Sequence, residues 1–168
     1  AKPGQRWWDV CAGAGGKSLQ LSAMMQNKGT IVATEIRDYK LVDLKKRARR
    51  SRCSNISPKG WDGKKLPVNK PNFDGVLVDA PCTCSGTWRR NPDARWTTTA
   101  AEAAEIAELQ LEILARAAGA VKVGGILVYA TCSLCERETE GVVTSFLTTH
   151  PEFGLSPIKH PITGVETP

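Results

Sequence analysis

Short β-like runs alternate with helical stretches along most of this chain, and that alternation is what a parallel α/β sheet requires. Strand-like runs stand at residues 6–11, 29–35, 55–57, 73–79 and 126–131. The spacing between them predicts helices over 17–26 and 38–52 and a last one over 136–149. A further helix starts at a capping box, Thr99 with Glu102, and carries an apolar stripe of Ile106, Leu109, Ile113 and Ala117. A long loop is expected over 80–98, and loops of that length usually carry function. Gly124 and Gly125 are expected to turn the chain into the fifth strand, and Pro151, Pro157, Pro161 and Pro168 mark an irregular tail over 151–168. The 168 residues suit one domain, here over 1–150, without internal repeats. No apolar run approaches the ~18 residues that cross a bilayer. No export signal opens the sequence, so a cytoplasmic setting with reduced thiols and no membrane partner is expected.

The segment from Asp9 to Ser18 stands where the first strand hands over to a helix. Glycines there let a backbone approach a ligand, and the helix N-terminus offers free N–H groups. A phosphate-binding loop would need glycine where Cys11 stands, so Gly16-Lys17-Ser18 is a near miss. The dinucleotide pattern also fails, because Ser18 stands where its third glycine belongs. An acid at the strand end followed by Gly13, Gly15 and Gly16 suits S-adenosylmethionine, whose sulfonium end has no pyrophosphate to cradle. Glu35 ends the second strand, where an acid can accept both ribose hydroxyls. Asp62 is a candidate for the adenine amino group, or an ordinary turn residue beside Gly63.

Two cysteine motifs follow the fourth and fifth strands: Asp79-Ala80-Pro81-Cys82-Thr83-Cys84 and Thr131-Cys132-Ser133-Leu134-Cys135. In a parallel sheet both strand ends open on the edge that carries the glycine loop, so Cys82 and Cys132 should converge there. Three readings fit these thiols. Zinc could take Cys82, Cys84, Cys132 and Cys135, although Cys-x-Cys is tighter than the usual zinc knuckle. A redox pair at Cys132 and Cys135 lacks the thioredoxin context. Nucleophilic thiols beside a methyl donor explain more. A pyrimidine ring carbon cannot attack a methyl sulfonium unaided, whereas a thiolate added at carbon 6 makes carbon 5 enamine-like. We therefore expect no metal.

Asp9-Val10-Cys11-Ala12-Gly13-Ala14-Gly15-Gly16-Lys17-Ser18, the Asp79-Ala80-Pro81-Cys82 motif with Ser85-Gly86, and Leu127-Val128-Tyr129-Ala130-Thr131-Cys132-Ser133 closely resemble the Sun (Nop/Sun, Fmu-like) family of RNA cytosine carbon-5 methyltransferases. The resemblance covers about residues 4 to 150. It implies a Rossmann-like class I methyltransferase sheet of order 3-2-1-4-5, with S-adenosylmethionine as cofactor and rRNA or tRNA as partner. It implies Cys132 as nucleophile, Cys82 assisting breakdown of the adduct, and Asp79 on the cytosine edge near the cofactor. Lys17 would orient Asp79 or a substrate group. Cys11, Ala12, Gly13, Ala14, Gly15, Gly16 and Lys17 would line the cofactor, with Glu35 on the ribose and Asp62 near the adenine. The family's more usual alanine-proline pair is Gly13-Ala14 here, and Cys84 and Cys135 read as bystanders. The resemblance also implies that strands six and seven and a separate N-terminal RNA-binding region are missing. The fifth strand would then be an apolar edge, and these residues alone are expected to bind cofactor but to methylate RNA negligibly.

The chain carries a net charge of +6. Twelve basic residues against three acidic ones lie between Arg37 and Lys70, so one face of the second helix could bind phosphates, or simply be solvated. Trp88, Arg89, Arg90, Arg95 and Trp96 mix aromatics with arginines beside Cys82. They could stack bases, or tack down the loop by burying the tryptophans. A noncatalytic RNA-binding or assembly domain is the other function class, and retention of Cys82, Cys132 and Asp79 speaks against it.

Overall fold

The computed structural model describes residues 1–67, 72–159 and 164–167. Five parallel strands form one sheet: β1 Arg6–Asp9, β2 Thr30–Glu35, β3 Ile56–Gly60, β4 Phe73–Asp79 and β5 Val121–Ala130, in the order β3-β2-β1-β4-β5. The helices are α1 Gly16–Met24, α2 Asp38–Arg50, α3 Pro92–Thr97, α4 Ala100–Ala118 and α5 Glu140–Thr149. Strand order reverses between β1 and β4, so a ligand crevice is expected at their carboxyl ends.

Alternation along the strands sorts the core onto two faces. Trp8, Val32, Val76 and Val78 pack with Leu114 and Ala117 of α4 and Val142 and Phe146 of α5. Trp7, Ile31 and Leu77 pack with Leu21 of α1 and with Met25, while Ala33 meets Leu44 and Ala48 of α2. Gly75 is required in β4, because a Cβ there would stand 2.4 Å from the Trp7 ring.

Several elements differ from the sequence expectation. β3 runs to Gly60 through Pro58, which an edge strand tolerates. β5 starts at Val121, before the two glycines. Phe73 pairs with Val121 and Gly75 with Ile126, so residues 122–125 bulge out, and Lys122 pairs with Asp74. The expected loop over 80–98 contains a 3-10 turn, Ser85–Thr87, and α3 with proline at its start. The last helix is split into a 3-10 turn, Glu136–Glu138, and α5. Thr99 caps α4 by accepting from the Glu102 N–H. The buried side of α4 is Ala103, Gln110, Leu114, Ala117 and Ala118, while Leu109 is exposed. The polar Gln110 hides that face from a hydrophobicity pattern.

The tail is not wholly irregular. Phe153 packs against Phe146, and β6 Ile158–Lys159 pairs antiparallel with β7 Glu166–Thr167 in a separate two-stranded sheet. Pro161 and Pro168 lie outside the described residues, as does Lys70 of the basic stretch. β5 is the edge of the main sheet, with Ile126 55% exposed. Among the described residues no helix is long and apolar enough to cross a membrane.

Candidate active site

The glycine loop leaves β1 and enters α1 with Gly15 as its N-cap, in the left-handed conformation at φ 85°. A Cβ at Gly15 would stand 2.7 Å from the Leu44 side chain, so glycine serves both the backbone angle and the close packing on α2. Arg47 of α2 donates to the Ala14 carbonyl at 2.9 Å, and Ala12 N–H donates to Thr34 O at 2.8 Å. The loop is thus held from both sides. Arg47 is a positioning contact hidden in the sequence by its basic neighbours.

Glu35 is buried at the end of β2 and faces the loop, accepting from Gly13 N–H at 3.0 Å. Its carboxylate also accepts from the Ile36 and Arg37 N–H groups and from the Arg37 guanidinium, at 2.8 Å to Oε1 and 3.0 Å to Oε2. Burial would raise its pKa, but these donors outweigh it and hold the group below the ordinary value. A carboxylate offers about four acceptor positions, and Glu35 already receives five N–H donors. Ribose hydroxyls must therefore displace the half-exposed Arg37 side chain. Next to Glu35, Ile36, Gly60, Trp61 and Asp62 line a cavity of about 450 Å³ with Leu66 and Pro67. Asp62 itself is exposed and accepts from Lys64 N–H, the turn contact its position allows.

Three carboxylates surround the loop. Asp9 is fully buried, accepts from Ser18 Oγ at 2.5 Å, and keeps Oδ1 without a partner. Burial raises its pKa to about 6, with Asp79 and Glu35 adding to the rise. Burial and the charges of Asp9, Glu35 and Asp79 also push the Cys11 thiol up to about 12, so that thiol is inert. Such a site repels pyrophosphate and suits a ligand carrying positive charge. Because the Asp9 pKa is raised, its favourable contribution to stability is full below 3.8 and is lost as the pH rises to about 6. Asp9→Asn should remove that slope, roughly 3 kcal/mol. Urea unfolding across this pH range measures it, and an unchanged slope would assign the titration elsewhere.

On the β4 and β5 side, Lys17 Nζ pairs with Asp79 Oδ2 at 2.7 Å, so the first helix holds the acid that ends β4. Cys82 and Cys132, fifty positions apart, stand with their sulfurs 3.2 Å from each other. Cys82 is partly buried and Cys132 exposed. Burial raises the Cys82 thiol. Hydrogen bonds from Thr131 and Cys132 and from the N–H groups of Cys84 and Cys132 outweigh it and bring Cys82 below its ordinary value. Burial and the two neighbouring thiols push Cys132 up to about 12. The first negative charge of the pair therefore rests on Cys82. Cys84, expected to be a bystander, lies 3.7 Å from Cys82, whereas Cys135 is outside this cluster.

A buried carboxylate that sequence reasoning missed joins the two cysteine loops. Glu138 is fully buried and accepts from Thr83 N–H at 2.8 Å, Thr83 Oγ1 at 2.5 Å and Ser133 Oγ at 2.8 Å. Gln110 of α4 donates to Glu138 at 3.2 Å and to Pro81 O at 2.7 Å. Tyr129 OH donates to the Glu138 carbonyl at 2.7 Å. Thr83 and Ser133 each adjoin a cysteine, so this network sets the spacing of the two thiols. Nothing local separates Glu138 from the solvated Glu136 two residues earlier.

The basic stretch divides. Leu41, Leu44 and Ala48 of α2 face the sheet, while Lys45, Lys46, Arg49 and Arg50 are exposed. Trp88 and Trp96 also divide. Trp96 is 82% exposed with Arg95 over its ring at 5.5 Å, while Trp88 is partly buried. With Arg89 and Pro92 they line an open cavity of about 550 Å³.

The family model described as 16S rRNA methyltransferase RsmB/F matches residues 1–166. The chain is 38% identical over 147 residues to the probable ribosomal RNA small subunit methyltransferase B of Bacillus subtilis, covering 86% of this chain and 33% of that protein. Among solved structures, PH0851 superposes with a TM-score of 0.92 at 40% identity, covering 95% of this chain and 37% of the other. NSun6 from Pyrococcus horikoshii with SFG gives 0.81 at 29% identity, covering 89% and 38%. The chain thus spans about a third of the length of the relatives it matches.

Proposed function

The chain belongs to the 16S rRNA methyltransferase RsmB/F family, and from that premise we propose that it methylates carbon 5 of cytosine in ribosomal RNA through a covalent cysteine adduct, with S-adenosylmethionine as methyl donor. The observation that carries this reading is the 3.2 Å approach of Cys82 and Cys132 on the sheet edge that also holds the glycine loop. One thiol beside a methyl-donor site would serve many chemistries, whereas two thiols in contact suit an addition that must later be reversed.

The residues present fit the donor. The unpartnered oxygen of Asp9 and the carboxylates of Glu35 and Asp79 favour its positive charge, and Glu35 faces the loop as a ribose acceptor. Gly13, Gly15 and Gly16 with Cys11, Ala12, Ala14 and Lys17 would line it, and the cavity at Ile36 and Asp62 would take the adenine. When bound, S-adenosylmethionine supplies an electrophilic methyl group.

The thiols handle the cytosine. The Cys82 thiolate, the first of the pair to ionise, takes the Cys132 proton as the Cys132 sulfur adds to carbon 6. Asp79, steadied by Lys17, contacts the polar edge of the base. After carbon 5 has gained the methyl group, Cys82, having given its proton to water, takes the carbon 5 proton, and the electron pair left behind expels Cys132. Arg95 and Trp96 are placed to hold flanking RNA.

RNA tritiated at cytosine carbon 5 tests the chemistry: the full-length protein should release tritium to water in step with methyl incorporation. Methyl incorporation without tritium release would move the target off carbon 5. For the cofactor, Glu35→Ala should weaken S-adenosylmethionine binding by about 1.5 kcal/mol in calorimetry, the low end for a hydrogen bond to a charged group. The low end applies because removing Glu35 also spares the displacement of Arg37. Tight NAD binding with no S-adenosylmethionine binding would overturn the reading.

A further inference from the structure

We propose that Cys82, Cys84 and Cys132 together form a binding site for one thiophilic cation of the zinc type, a property that goes beyond methyl transfer. The three sulfurs all lie within 4.8 Å of one another. Cys82 stands 3.2 Å from Cys132 and 3.7 Å from Cys84. Three sulfurs at ~2.3 Å around a tetrahedral zinc ion are about 3.8 Å apart, so small side-chain rotations would complete the triangle.

The loop shape produces this arrangement. In an extended strand, the two cysteines of Cys-x-Cys would be separated by about 6.6 Å along the backbone. Cys84 instead takes the left-handed conformation at φ 58°, and its sulfur folds back to Cys82. Thr83 between them is buried and tied to Glu138. Cys132 is exposed, which leaves an approach for the ion and a fourth position for water. The donor set is sulfur only, which selects zinc-like ions over magnesium or calcium. Binding one ion to three thiols releases three protons to solvent. The four-cysteine set weighed from the sequence is not what forms, because Cys135 is outside the cluster. An ion held here would engage the sulfur of Cys132, so metal binding and cytosine addition would exclude each other.

Cobalt(II) alone, added to the reduced chain, tests the site without RNA or methyl donor, so its outcome is separate from that of the methylation assays. One equivalent should bind with a sulfur-to-cobalt charge-transfer band and tetrahedral visible bands, and zinc should displace it. Cys84→Ser should weaken binding at least ~10-fold, while Cys135→Ser should leave it unchanged. Absence of stoichiometric binding would overturn the proposal, as would unchanged affinity in Cys84→Ser or equal loss in Cys135→Ser. Should Cys84→Ser fail to fold by circular dichroism, alkylation of the wild-type chain decides. Zinc should protect Cys82, Cys84 and Cys132 but not Cys53, and unprotected cluster thiols would refute the site.

Discussion

Cys132→Ser in the full-length protein should abolish both methyl transfer and covalent capture of RNA, a loss of roughly 10⁴-fold or more. Serine keeps the shape of the site but removes the sulfur that adds to carbon 6. Cys82→Ser should act differently. Addition can still occur, but the group that helps expel Cys132 is gone, so a protein–RNA adduct should accumulate and survive denaturing electrophoresis. The contrast is informative because charge favours Cys82 as the first thiol to ionise. Swapped phenotypes would make Cys82 the nucleophile. If neither variant changed adduct or turnover, covalent catalysis at these thiols would be wrong.

Glu138→Ala should be among the most destabilising single changes in the domain. It removes the acceptor of the Thr83 N–H and of the Thr83 and Ser133 hydroxyls, and one acceptor of Gln110, all of them buried. Each buried polar group left unsatisfied costs about 1–3 kcal/mol, so the total should reach about 3–5 kcal/mol in urea unfolding. Glu138→Gln keeps the volume and one acceptor oxygen and should cost less. Because Glu138 sets the thiol spacing, this milder variant should lower kcat with little change in KM. It should also slow bridging of Cys82 and Cys132 by a bifunctional thiol reagent. A folded variant with normal kcat and normal bridging would reduce Glu138 to a structural role.

The mistaken boundaries share a cause. β5 was expected to start after Gly124 and Gly125, but its first residue is set by Phe73 across the sheet, with the glycines accommodating a bulge. The apolar stripe of α4 was expected to include Leu109, but its buried face turns toward Gln110 because that side chain has partners on two loops. In both cases a contact made at long range overrode a local pattern. Cys84 reads as a bystander in the sequence because the methyl-transfer mechanism does not need it, and the left-handed turn that brings its sulfur to Cys82 leaves no mark in composition.

By itself the sequence determined the parallel α/β architecture and the meeting of the two cysteine motifs on the edge that carries the glycine loop, while the order 3-2-1-4-5 came from the family resemblance. The first two follow from strand alternation, helix periodicity and the rule that parallel strands end on one edge, all of which are written in near neighbours or in topology. Only the tertiary structure decided that Arg37 covers Glu35, that Arg47 holds the glycine loop, that Glu138 joins the two thiol loops, and that Cys84 makes the pair a triad. A charged or thiol side chain has the same local signature whether it meets water or a buried partner. The partner of Glu138 lies 55 residues away in Thr83, and folding alone brings such groups within hydrogen-bond distance.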